Sequence, residues 1–424
     1  MTVANSPIPT SHHACPACGL LCDDLPLDGH GSISVSFSCA KSQRYFSQAA
    51  TAQNQLASVD GQACDLNTAL AAAAKILQNS QQTLIAGLGT DVQGMRAILP
   101  LAEKCQATLD HMHSESSLRN TLAMQNSGWQ TTTLSEVKNR ADLILAIGTD
   151  IVSSHPRFFE KLVWNKDSLF NKGTPHVVYL AVDEADTQAG VAPNGTNPTV
   201  LAADKKALPA ILNTLNALCN PAYAKSNKAA SVAGLSLAAL KALLEKIQAA
   251  NYAVVVWSAS ELAYPHAELT VQSITQLIGK LNEQTRVAGL SLNSGDGDIS
   301  VNQTSTWLSG FPSRNRFKHE QVSYDTQHYS TALQLKSCDA LLWVSTFNPK
   351  PPPDFAGPSI VIGHPNTLFE RPPAVFIPVG VPAVHDSGTL FRMDGSIALP
   401  LKKLQASRLP RLVEVINQLA DLMS

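Results

Sequence analysis

The sequence predicts a multidomain α/β protein, with parallel sheets covered by helices and a small cysteine-rich domain at the N-terminus. Three observations predict it. Apolar, β-branched runs alternate with Ala-, Leu- and Gln-rich segments of helical period along most of the 424 residues, which is the pattern of strands buried between helices. Two of those runs end in Gly-Thr-Asp, at Thr90-Asp91 and Thr149-Asp150. Four of the eight cysteines, Cys15, Cys18, Cys22 and Cys39, fall within the first 39 residues.

Taken in order, residues 1–55 form the cysteine-rich part. A first α/β domain is expected over 56–200. It opens with a helix from Asp65 to Asn79, capped by Asp65, and a strand from Thr83 to Asp91 that leaves through glycines into the next helix. The run from Ala141 to Phe159 repeats the idea, and the following strand carries Asp183 at its carboxyl end. A second α/β domain is expected over 201–345. It has an Ala-rich helical stretch from about Ala203 to Ala250, a strand from Tyr252 and a helix from Glu268 to Asn282. Residues 288–320 show no clear period and read as a long binding loop. The segment 346–424 completes the core, with strands at Ser359–Gly363 and Val375–Gly380 after one at Ala340–Ser345; the Pro-rich Asn348–Pro358 reads as an ordered surface turn.

Composition excludes several classes. Hydrophobic residues make up 44% with no run near a membrane span, and a formal net charge of −2 without a basic stripe argues against nucleic acid as partner. With no signal peptide at the start, a cytoplasmic location with reduced thiols is expected. Charged residues are only 15%, below the usual quarter, which fits a chain that buries surface against other subunits.

The gaps of two and three residues let Cys15, Cys18 and Cys22 converge from one loop, and Cys39 can close the cage around an iron–sulfur cluster or zinc. A relic loop that binds nothing, and disulfides, are the other readings. Cys64, Cys105, Cys219 and Cys338 are scattered singly and read as small buried hydrophobes. His12 and His13 read as a solvated arm rather than as added ligands, and Arg314, Arg316 and Lys318 as a solvated basic loop rather than a site for an anionic chain.

CPACGLLCDD with Cys39-Ala40-Lys41, GTDIVSSHPR, GFPSRNRF and SGTLFRMDG, in that order along the chain, together resemble the B-type subunit of formylmethanofuran dehydrogenases, members of the molybdopterin oxidoreductase superfamily. The resemblance implies a formate dehydrogenase-like fold, a 4Fe–4S cluster on the N-terminal cysteines with Lys41 between cluster and pterin, and a pterin-dinucleotide tungsten or molybdenum centre. His155, Arg157 and Asp183 match the positions expected to contact the pterin dinucleotide; packing and helix capping are the alternatives for them.

The family places a thiolate or selenolate ligand in the turn after the second strand. Here Asp110 to Gly128 contains no cysteine, and the match puts Ser116 at the ligand position and Ser117 at a neighbouring histidine. A serine hydroxyl is a hard donor that stays protonated near neutral pH, unlike a soft thiol of pKa about 8.5. The resemblance is therefore to the redox-dead branch, the bacterial formyltransferase/hydrolase complex. The corresponding subunit of that complex is expected to be structural, without molybdopterin. Its partner subunits release formate from formyl-tetrahydromethanopterin through a methanofuran-type carrier. The alternative is an active tungsten or molybdenum subunit interconverting carbon dioxide and formate.

Overall fold

The computed structural model describes residues 13–25, 39–50, 56–171, 173–226 and 230–423. The chain divides into two compact units: 1–114 with 295–424, and 115–294. It crosses from the first to the second after Ser114 and returns after Ser294. The expected divisions at 55, 200 and 345 do not coincide with these boundaries.

The first unit is built on a nine-stranded sheet. Five parallel strands form its centre, in the spatial order Thr108–His111, Thr83–Gly89, Ala340–Ser345, Ser359–Gly363 and Val375–Pro378. Antiparallel hairpins extend both edges: Asn315–Lys318 with Gln321–Tyr324, and Ala57–Val59 with Gln62–Cys64. Thr83–Gly89 is buried at every position, as a strand covered on both faces must be. The helix Leu66–Asn79 buries Ala69, Leu70, Ala73, Ala74 and Leu77, a single stripe at three- and four-residue spacing. The side chain of Asp65 caps it by accepting the Thr68 N–H at 2.9 Å. This stripe joins Met95, Ile98 and Leu101 of the helix Val92–Lys104 and Leu412, Val415 and Leu419 of Leu412–Leu422 in one core.

The second unit holds an all-parallel five-stranded sheet, in the order Val287–Leu292, Ala253–Ser258, Leu143–Ile147, His176–Leu180 and Thr199–Leu201. Trp257 is fully buried there, its indole N–H given to Asn120 Oδ1 at 3.0 Å. The Ala-rich stretch resolves into helices Leu208–Leu218 and Leu237–Ala249, and the helix Ala267–Leu281 lies one residue from its expected place.

The loop expected over 288–320 is instead mostly regular structure. It contains the end of Val287–Leu292, a helix Asp298–Ser309 and the strand Asn315–Lys318. Glycines frame that helix: Gly297 enters it at φ 76° and Gly310 ends it at φ 86°. A side chain at 297 would place its Cβ 2.1 Å from the Thr90 carbonyl oxygen, so only glycine fits. The Pro-rich stretch is a surface turn pinned by Trp343, whose indole N–H donates to the Lys350 carbonyl at 3.0 Å. Among the described residues, no helix is long and apolar enough to cross a membrane.

Candidate functional site

The cysteine loop is closed by its own backbone. Cys15 donates its N–H to the Cys22 carbonyl at 2.9 Å and Leu21 donates to Cys18 at 3.2 Å, with Leu21 in the left-handed region at φ 45°. Cys39 stands immediately before the helix Ala40–Ala50, and its carbonyl accepts the Gln43 N–H at 3.0 Å. Cys15, Cys22 and Cys39 are buried and Cys18 half-buried. Burial pushes the Cys15 thiol far above its ordinary range; Ser42 and the Ala17 backbone oppose the shift, and Cys18 and Cys22 add to it. Cys18 and Cys22 therefore each lie near enough to Cys15 to act on its charge, and the donor chemistry of the three suits zinc or iron–sulfur. Among the described residues, however, no three His, Cys, Asp or Glu side chains converge in an arrangement that could hold a metal ion. Lys41, two residues after Cys39 in sequence, is half-buried. His13 is buried rather than part of a solvated arm, with its pKa lowered by desolvation and then by Lys402; His12 lies outside the described residues.

Ser116 lies in the first turn of the helix Ser114–Ser127, which follows the strand Thr108–His111. Its buried hydroxyl is 2.7 Å from that of Ser294. Ser117 is half-buried, and its carbonyl accepts the Thr121 hydroxyl at 3.0 Å. No thiol stands in this turn.

The three residues matched to the pterin dinucleotide have different surroundings. His155 is buried, with Nε2 2.8 Å from Asn293 Oδ1 and Nδ1 2.9 Å from Ser154 Oγ. Arg157 pairs its guanidinium with both carboxylate oxygens of Glu160, one turn on. Both groups thus have partners within the chain. Asp183 is exposed at the N-terminus of the short helix Glu184–Gly190, but its side chain makes no capping bond. It lines a cavity of about 730 Å³ beyond the carboxyl ends of the second unit's strands, together with Asp150, Ser153, Asp204, Lys205 and Glu261. Glu261 spans part of this wall, taking hydrogen bonds from Lys205 at 2.8 Å and Thr149 at 2.7 Å.

Sequence reading missed a charged cluster gathered around the buried Asp296 in the first unit, with His113 half-buried and Lys350 reaching solvent. Asp296 Oδ2 meets His113 Nε2 at 2.8 Å and Lys350 Nζ at 2.5 Å, and Oδ1 accepts from the Asn348 amide at 2.6 Å. Burial pushes the Asp296 carboxyl up, but His113, Lys350 and Asn348 outweigh it and hold it well below the usual carboxylate range. His111 Nε2 lies 3.3 Å from the Asp296 carbonyl oxygen, and its Nδ1 accepts the His113 N–H at 3.0 Å. The signal was present in Asp110-His111-Met112-His113 and in Gly295-Asp296-Gly297, where a short acid between glycines marks a tight turn.

A two-unit α/β protein, with a cysteine loop before a nine-stranded mixed sheet and a serine in the turn after a central strand, defines the class. The comparisons place it more narrowly. The chain is 30% identical over 340 residues to the B-type subunit of the formyltransferase/hydrolase complex Fhc of Methylorubrum extorquens, covering 78% of this chain and 87% of that protein. It is 23% identical over 412 residues to the B-type subunit of the tungsten-containing formylmethanofuran dehydrogenase 2 of Methanocaldococcus jannaschii, covering 92% of each. Its fold superposes on a chain of the crystal structure of the formyltransferase/hydrolase complex from Methylorubrum extorquens with methylofuran. The TM-score is 0.72 at 25% identity, over 87% of this chain and 98% of that one. No protein-family model matches. The chain belongs to the family of the B-type subunit of the formyltransferase/hydrolase complex.

Proposed function

We propose that the chain is the non-redox structural subunit of a hetero-oligomeric formyltransferase/hydrolase complex. That complex releases formate from formyl-tetrahydromethanopterin through a methanofuran-type carrier, with the chemistry on partner subunits. One observation carries the reading: at the position matched to the metal ligand, the Ser116 hydroxyl lies 2.7 Å from that of Ser294, and the segment from Asp110 to Gly128 contains no cysteine. A pterin–metal centre does not fit this turn, which offers a hard, protonated oxygen already engaged. The internal pairing of His155 and Arg157 points the same way. Asp183, at its cavity, is the one of the three that keeps an open position at a strand tip.

The reading is tested in the assembled complex. Ser116→Ala is expected to leave formate release within about twofold of wild type; a drop beyond tenfold, about 1.4 kcal/mol in barrier, contradicts it. A second reading, a tungsten- or molybdenum-containing catalytic subunit, draws on the cysteine loop that the chain retains. Molybdenum or tungsten near one per chain in the purified complex would establish it, and their absence is the expected result.

We read Cys15, Cys18, Cys22 and Cys39 as the ligands of a structural metal centre, a 4Fe–4S cluster or zinc. The burial of Cys15, Cys22 and Cys39 and the backbone bond that closes the loop from Cys15 to Cys22 support this. Cys18→Ser is expected to lower the iron or zinc content per chain and to leave the protein insoluble or unable to join its partners, as metal-coupled folding requires. Unchanged metal content and assembly would make the loop a relic.

A further inference from the structure

A groove of about 630 Å³ lies in the first unit where the chain enters the strands Ser359–Gly363 and Val375–Pro378. Small ligands of parallel sheets bind beyond the carboxyl ends of the strands. An open groove at the amino ends suits a macromolecular partner instead. Part of its lining is apolar, from the run Pro351–Pro353 and the half-buried rings of Phe355 and Phe369. The charged part is Asp60, Asp354, Glu370 and Arg371, all exposed. Three carboxylates thus stand against one guanidinium. Among the described residues, none of the three has a side-chain hydrogen bond or ion pair within the chain. We propose that this groove docks an extended, basic segment of a partner subunit. The aliphatic stems of its Lys or Arg side chains pack on the proline and phenylalanine rings, and their cationic heads meet the carboxylates.

The walls of the groove are held by the fold itself. Trp343 binds the carbonyl of Lys350, the residue before the proline run, and the Asp60 N–H donates to the Ala374 carbonyl at 2.9 Å. Phe355 and Phe369 rest on the core cluster of Trp343, Val361 and Phe376, with the Phe369 and Phe376 rings edge to face at 5.0 Å. A Cβ at Gly357 would fall 2.6 Å from the Phe355 ring, so the glycine lets that ring lie where it does. A surface ordered in advance loses little entropy when a partner settles on it. Leu368, next to Phe369 in sequence, is 84% exposed and offers further apolar surface. The charge argument gains weight from composition, since only 15% of the chain is charged, yet three carboxylates without a cation share this groove. The inference rests on the reading of the chain as a subunit of a hetero-oligomeric complex, and it names a surface through which one partner is held.

Two measurements on the full chain and its complex test the groove. Carbodiimide with glycinamide labels accessible carboxylates, and mass spectrometry locates the label. Asp354 and Glu370 should label at least tenfold more slowly in the assembled complex than in the chain alone. Equal rates would overturn the proposal, and so would protection that grows with the concentration of the chain alone, which would make a second copy the occupant. The double variant Asp354→Lys with Glu370→Lys reverses two exposed charges and should raise the apparent Kd for the remaining subunits at least tenfold, with the difference shrinking as salt is added. Assembly at wild-type affinity with formate release intact would overturn the groove and leave the reading of function standing. A wild-type chain that joins no partner would overturn both.

Discussion

Between pH 6.5 and 4.5 the folded chain should lose several kcal/mol of stability, and replacing His111 and His364 with glutamine should flatten that loss. Both rings are buried. Desolvation, then His113, pushes the pKa of His111 down to about 3; desolvation, then His385, pushes that of His364 down to about 4. In the unfolded chain both titrate near about 6.5. Below that pH the unfolded state binds protons that the folded state refuses. The stability from each neutral ring is therefore complete above about 6.5 and is lost as pH falls toward the folded values. Each histidine contributes a slope of about 1 kcal/mol per pH unit, so two over two units come to about 4 kcal/mol, a large share of the ~5–15 kcal/mol available to a typical domain.

The neighbours set the rest of the profile. His111 faces His113, Asp296 and Lys350, and His364 faces His385, itself near Lys403. Asp296, held ionised, adds acid sensitivity below about pH 4. Asp91, whose carboxyl is raised by burial, acts in the opposite sense there. Urea midpoints at pH 7 and 5 measure the slope. If the double glutamine variant falls as steeply as wild type, these histidines are not its cause.

What was legible in the sequence was what local pattern encodes. The stripe Ala69, Leu70, Ala73, Ala74, Leu77 and the cap Asp65 fix a helix without help from the rest of the chain. The runs at Thr83–Gly89 and Leu143–Ile147 are buried at every position, so their apolar continuity alone marked central strands. The division into units was not legible, because the first unit is completed only when the chain returns after Ser294, and no local period records a return. The helix Asp298–Ser309 escaped notice because its exposed face carries Trp307 and Leu308 while its inner face buries Ser300, Thr304 and Ser305, which blurs the amphipathic signal. At the site, Ser116 was identified as the departure from the metal-binding pattern, but its partner Ser294 lies 178 residues away and nothing local points to it. The pairing of Arg157 with Glu160 was within reach, since a spacing of three on a helical turn brings the two side chains together.

Arg314→Ala should cost about 3–5 kcal/mol, the penalty for stripping a buried carboxylate of its cation. In sequence Arg314 belongs with Arg316 and Lys318 to a basic loop expected to be solvated. Only part of that holds: Lys318 is exposed and Arg316 half-buried, but Arg314 is buried with its backbone at φ 70°. The left-handed backbone turns its side chain away from its neighbours' course, and its N–H is fixed on the Leu109 carbonyl at 2.9 Å. The guanidinium Nε stands 3.7 Å from Asp110 Oδ1 and 3.2 Å from Ser114 Oγ, while another nitrogen donates to the Thr326 carbonyl. Asp110 is fully enclosed. Its Oδ2 accepts from the Thr331 N–H and hydroxyl at 2.6 and 2.7 Å, which leaves Oδ1 facing the Arg314 cation. Alanine would leave that oxygen with no compensating charge, so the carboxyl must either take up a proton or draw in water. The double variant Arg314→Met with Asp110→Asn removes both charges at similar volume and should recover at least half of the loss, because the cost lies in the unpaired charge more than in the missing contact. Urea unfolding of the three chains separates the cases. A single-variant cost below about 1 kcal/mol would show the pair to be screened like a surface ion pair and the enclosure of Asp110 to be incomplete.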